Sequence, residues 1–169
     1  MPDSSNPVYL VDPTSDPVLV RIDGRANFQN SGCLRDFILE MVRRGRSRFV
    51  LDFQHCTGMD STFLGVLAGA ALELSKSVPP GGIVVAQPGG RNLELIRNLG
   101  LHRLLTVDAG DTAPATDKCT TGLHPNTRNE IDTARLVLEA HENLVTADET
   151  NRSKFQDVLT FLRSRIEHP

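Results

Sequence analysis

Asp60, Ser61 and Thr62 are three adjacent polar side chains, two of which carry a hydroxyl that a kinase could modify. They stand between two apolar runs. The first, Arg48-Phe49-Val50-Leu51-Asp52-Phe53, is short, β-rich and bounded by the turn formers Gly45 and Thr57-Gly58, and reads as a buried strand. The second recurs at helical spacing through Phe63, Leu64, Val66, Leu67, Ala70, Ala71 and Leu74. Gly65, Ala68 and Gly69 keep its remaining face small enough to press against another backbone. Ser61 is therefore expected in the first turn of a helix, where backbone N–H groups lack intrahelical partners and the macrodipole favours negative charge. A phosphate there would gain from the helix and add roughly −1.5 to −2 charge to the surface. All three polar residues are also good helix caps, and one of them must cap this helix.

Other chemistries are weaker. Gly58-Met59-Asp60-Ser61-Thr62-Phe63 lacks the Gly-x-Ser-x-Gly pattern of a hydrolase nucleophile, and His55, the nearest histidine, has no signalled carboxylate partner. Gly81-Gly82 and Gly89-Gly90 match neither a Walker nor a dinucleotide spacing and read as turns beside strand ends. Cys33, Cys56 and Cys119 are odd in number and have neither disulfide-framework nor zinc spacing. Cys33 and Cys56 are expected to pack as small apolar groups, with Cys119, in a polar segment, the most exposed thiol. No catalytic residue, metal site or cofactor is assigned, and the chain is read as a non-enzyme.

Asp60-Ser61-Thr62-Phe63-Leu64-Gly65, after a strand and before a small-residue helix, resembles the Asp-Ser-Ser/Thr-Gly-Leu-Gly signature of the STAS domain, the fold of bacterial anti-sigma factor antagonists. The flanking elements agree in order. Val18 to Gly24 resembles the family's second strand, and Ser31 to Arg44 its first helix, with Leu34, Phe37, Ile38 and Met41 at i, i+3, i+4 and i+7. Gly82 to Ala86 resembles the fourth strand, Gly89 to Leu101 the third helix with its Gly-Leu exit, and Leu104 to Val107 a short last strand.

The resemblance covers about residues 8 to 108. It implies an α/β, STAS-like mixed sheet of four to five strands packed against helices, in a domain spanning residues 1 to 108. It also implies an anti-sigma factor antagonist that works by phosphorylation-dependent partner switching. Ser61 would be the phosphorylated serine, with Thr62 as the alternative acceptor. Its partners would be an anti-sigma factor with serine kinase activity and a serine phosphatase. Asp60, Ser61, Thr62, Phe63, Asn27 and Arg25 would form the partner-binding surface. Two positions depart from the family pattern: Phe63 stands where antagonists usually carry Gly and is expected to narrow the approach to Ser61. Asn27 stands where an Asp is frequent and cannot supply its charge. Arg25, nearby in sequence, could pair with a phosphate through its planar guanidinium. The competing reading is a non-switching STAS scaffold or oligomerisation module in a signalling assembly.

The 169 residues suffice for one domain plus an appendage, with 39% hydrophobic content for a core. A formal net charge of −3 supplies no field for nucleic acid. Arg43-Arg44-Gly45-Arg46-Ser47-Arg48, the densest basic run, suits a helix C-terminus and the turn after it. The N-terminus, Met1 to Pro7, has neither the basic start nor the apolar core of a signal peptide, and Phe63 to Leu72 is too short to span a bilayer. A cytoplasmic location is expected, without membrane or direct nucleic-acid partners.

Residues 109 to 126 contain almost no large apolar side chain and read as a linker or loop. Thr127-Arg128-Asn129-Glu130 has capping-box spacing, so a helix is expected to begin there, opening a helical extension over residues 127 to 169. Ile131, Ala134, Leu138, His141 and Val145 form one stripe, and Phe155, Val158, Leu159, Leu162 and Ile166 another. Polar residues at His141, Asp148 and Arg152 interrupt a continuous seven-residue register, so two helices are expected rather than one. Their stripes need a cover: the first domain, a second copy in a homodimer, or a separate protein. His141 is read as a partly buried helix residue rather than a ligand.

Overall fold

The computed structural model describes residues 6–110, 113–125 and 127–169. The reading of the N-terminus as free of a signal peptide rests mostly on residues outside that set. The sheet is built from β1 (Tyr9–Asp12), β2 (Val18–Ala26), β3 (Arg48–Met59), β4 (Gly82–Ala86), β5 (Thr106–Asp108) and β6 (Thr121–Leu123). Their order is β5-β4-β3-β2-β1-β6, so among the described residues the sheet has six strands rather than the four or five expected. β2 to β5 run parallel, while β1 is antiparallel to both β2 and β6. The added strand comes from the polar segment read as linker or loop. Only three residues long, it completes the open edge of β1 with backbone bonds that owe nothing to hydrophobic pattern.

The helices are α1 (Ser31–Arg43), α2 (Ser61–Leu74), α3 (Gly89–Asn98), α4 (Glu130–Ala147) and α5 (Asn151–Glu167), with a 3-10 turn at Leu101–Arg103. α1 and α2 pack against one another, α4 lies across α2, and α5 lies on α4. The sheet and α2 share one core that includes Tyr9, Val20, Ile22, Phe49, Leu51, Phe53, Phe63, Leu67 and Leu74. α2 is thus enclosed on two sides, which explains why every residue from Thr62 to Ala68 is buried.

The extension is two helices, as the interrupted register implied. Asn129, not Thr127, caps α4: its Oδ1 accepts from the Asp132 N–H at 2.7 Å. Asp148 makes the corner by accepting from the Thr150 N–H (3.0 Å) and hydroxyl (2.7 Å). The basic run behaves as expected at the end of α1. Arg43 and Arg44 pair with Glu40, Arg48 pairs with Asp16, and Arg46 donates to the Pro13 and Ser15 carbonyls.

Cys119 corrects its expected exposure. It is 4% exposed, held in the loop leading to β6, and burial together with the Asp12 carboxylate pushes its thiol up to about 11. At pH 8 only about one thiol in a thousand would then be thiolate. Iodoacetamide should label Cys119 on the order of 100-fold more slowly than a free exposed cysteine. Peptide mass spectrometry over time checks this; labelling at the exposed rate would contradict the burial.

Candidate functional site

β3 delivers the polar cluster. It runs past the Thr57-Gly58 turn signal because its far half pairs with the end of β2, including Arg25↔Gly58 and Ala26↔Met59, with register shifts that absorb the irregularity. The Asp60 N–H donates to the Ala26 carbonyl at 3.2 Å, and the chain then turns into α2 with Ser61 as its first residue. Asp60 is the cap. One carboxylate oxygen accepts from the Phe63 N–H at 2.9 Å and the other from the Phe28 N–H at 2.8 Å, tying the helix start to the loop after β2.

The end of β2 carries Arg25, and the loop after it Asn27. Asn27 is committed to local structure: its Oδ1 accepts from the Gln29 N–H at 2.9 Å, and its carbonyl accepts from the Ser31 hydroxyl at 2.6 Å. Arg25 is exposed and lies along the backbone of Gly58, where an added Cβ would sit 3.5 Å from its guanidinium. Asp60, Ser61, Asn27 and Arg25 are therefore gathered at one end of the β2–β3 pair.

Thr62 and Phe63 do not belong to that surface. Thr62 is 4% exposed, so its hydroxyl is no open acceptor. Phe63 is 0% exposed, stacked on Tyr9 with ring centres 6.4 Å apart and edge-on to Phe53 at 6.0 Å. It points into the core and does not itself narrow the approach to Ser61. Its place in the apolar stripe of α2 is the physical reason: Phe63, Leu67 and Leu74 share the inward face of the helix.

The approach to Ser61 is limited instead by a residue from the extension. The Ser61 hydroxyl lies 2.8 Å from His141 Nε2, and His141 Nδ1 lies 2.7 Å from the Val137 carbonyl one turn earlier in α4. A carbonyl can only accept, so Nδ1 carries a proton, and in the neutral ring Nε2 then accepts from the Ser61 hydroxyl. His141 is 4% exposed and meets the Phe155 ring edge-on at 4.9 Å. α4 can come this close because α2 offers no side chains there. A Cβ on Gly65 would lie 2.1 Å from the Ala140 carbonyl oxygen, and one on Gly69 would lie 2.2 Å from Asn143 Nδ2. The small face of α2 was legible in the sequence, but its occupant was not: a lone histidine within an apolar stripe carries no mark of its partner.

The serine–histidine pair lacks the rest of a hydrolytic site. The histidine is oriented by a backbone carbonyl rather than a carboxylate, and the Phe63 N–H, at the helix start where an oxyanion would need donors, is bonded to Asp60. Among the described residues no cluster of His, Cys, Asp and Glu could hold a metal ion, and no helix is long and apolar enough to cross a membrane.

No curated protein matches this chain. Among solved structures it is similar to the anti-sigma factor antagonist SpoIIAA in its unphosphorylated form, at 18% identity and a TM-score of 0.47, over 53% of this chain and 81% of that one. It is also similar to the Bacillus cell fate determinant SpoIIAA in its phosphorylated form, at 18% identity and a TM-score of 0.49, over 59% of this chain and 89% of that one. Residues 10–106, more than half of the chain and the stretch that holds β2, α1, β3 and α2, match the family profile described as Mlab, STAS domain. On that match the chain belongs to the STAS domain family.

Proposed function

We propose that this protein is a partner-binding regulator of the anti-sigma factor antagonist kind, with Ser61 as its phosphorylated residue and no catalytic activity of its own. The observation that carries the reading is the position of Ser61: the first residue of α2, half-buried, directly after the capping aspartate of a STAS-like signature. A helix start stabilises an added phosphate, while the new charge repels or desolvates a docked partner. The partner would be an anti-sigma factor that is also a serine kinase using ATP, with a serine phosphatase to reverse the mark, all in the cytoplasm. Asp60, Asn27 and the exposed Arg25 would share the docking surface with Ser61, Arg25 facing phosphate oxygens or partner carboxylates.

A second reading, a non-switching STAS scaffold, is favoured by one observation: the Ser61 hydroxyl is already spent on His141. Incubation with the host's anti-sigma kinases and ATP, followed by mass spectrometry of the Ser61 peptide, separates the two. Switching predicts modification at Ser61 and a 30- to 150-fold weaker complex for Ser61→Asp, the equivalent of about 2–3 kcal/mol. An unmodified Ser61 together with undiminished binding by Ser61→Asp leaves the scaffold.

A further inference from the structure

α4 is held in two unequal halves. Its C-terminal half is part of the molecule's main core: Leu144 is fully buried there, and Ala147 and Phe155 pack against it. Asn151, at the start of α5, donates to the carbonyls of Leu144 and Leu99 and fixes that end to the exit of α3. The N-terminal half touches the domain through a separate small cluster, Val66 with Leu136 and Ala140. Polar contacts do the rest. Arg35 grips Glu139 through two hydrogen bonds of 2.7 and 3.0 Å, Arg128 pairs with Asp36 at 3.2 Å, and Ser61 bonds His141. Solvent-exposed ion pairs of this sort hold only weakly, and local openings cost far less than unfolding where few apolar contacts must part.

We infer that residues 130 to 141 are a latch over Ser61: they close its side chain against modification in the resting protein and lift from α2, pivoting near Leu144, to expose it. The consequence for signalling rests on Ser61 being the acceptor proposed above. The latch itself does not, and a thiol can read it without any kinase. In a latched chain a partner therefore meets a closed face, and whatever lifts α4 sets the rate at which Ser61 becomes available.

The test uses the full chain carrying Ser61→Cys, alone and combined with Ala140→Glu, whose longer side chain cannot fit against Gly65. Iodoacetamide labelling is followed by mass spectrometry of the peptide containing position 61, with buried Cys119 as the internal reference for an intact fold. Labelling at position 61 should rise at least tenfold in the double variant while Cys119 stays protected. A third chain, Ser61→Cys with Glu139→Lys, removes only a surface grip and should rise about threefold. Equal rates in all three chains, with Cys119 protected, overturn the latch. If Cys119 becomes labelled in the Ala140→Glu chain, the Glu139→Lys chain decides alone. The kinase assay above, repeated on Glu139→Lys with Ser61 retained, separates the two claims. A thiol that opens beside a serine never modified retains the latch and removes the switch.

Discussion

Replacing Phe63 with Gly, the residue that the family signature favours at this position, should cost about 4–6 kcal/mol and lower the melting temperature by roughly 10–20 °C. The ring is wholly buried between Tyr9 and Phe53, so its loss opens a cavity where β1, β3 and α2 meet. Losing a buried Phe accounts for about 3–5 kcal/mol, and Gly inside a helix adds about 1. Phe63→Leu, which refills most of the space, should cost only about 1–2 kcal/mol. Thermal and denaturant unfolding measure both. A melting point within 3 °C of the parent for Phe63→Gly would mean that the ring lies outside the core, and that its effect on Ser61 is one of access after all. On this geometry the bulk of Phe63 goes into core packing between Tyr9 and Phe53, away from Ser61.

Much of the region from β2 to β5 could be read from pattern because each element has its own period. The stripe of α1, the apolar run of β3 and the Phe63-to-Leu74 helix all bury side chains against one sheet, so local spacing and tertiary burial agree. The failures have a common source in contacts between distant segments. β6 is three residues whose only claim to be a strand is the backbone of β1. Thr57-Gly58 looked like the end of β3, but pairing with β2 carries the strand through it. Cys119 lies in a polar sequence and is buried all the same, because the segment folds back onto the sheet edge.

The candidate site shows the same division. That one of Asp60, Ser61 and Thr62 caps α2, with Ser61 in its first turn, is a local fact that residue type and order suffice to place; that Asp60 is the one came only with the backbone. That Phe63 points inward was also available locally, from its membership of the apolar stripe; judging it by its place in a surface motif obscured this. His141 over Ser61 required knowing that α4 lies across α2. The glycines of α2 announced a close neighbour, yet Ala140, His141 and Asn143 are separated from them by more than 70 residues and by three strands.

Asn151→Ala should destabilise the protein by about 1–3 kcal/mol, a large loss for a single polar side chain. Asn151 is fully buried, and its Nδ2 donates to the Leu99 carbonyl at 2.9 Å and to the Leu144 carbonyl at 2.8 Å. Removing the amide takes the donor from the Leu99 carbonyl and one of two donors from the Leu144 carbonyl, which keeps the Asp148 N–H, at the point where α3, α4 and α5 converge. Asn151→Asp should be at least as damaging near neutral pH, because an ionised carboxylate would face both carbonyls with oxygen in place of N–H. Lys154→Ala is the control: its ammonium reaches the Asn98 carbonyl at 2.6 Å from an exposed position and should change stability by less than about 0.5 kcal/mol. Hydrogen exchange localises the effect. Protection should fall first in residues 130 to 167 and only later in β2 and β3, because Asn151 anchors the hairpin rather than the sheet. Faster exchange spread evenly over sheet and helices would show that α4 and α5 cannot part from the domain separately, and a latch that pivots at Leu144 would then have no hinge to turn on.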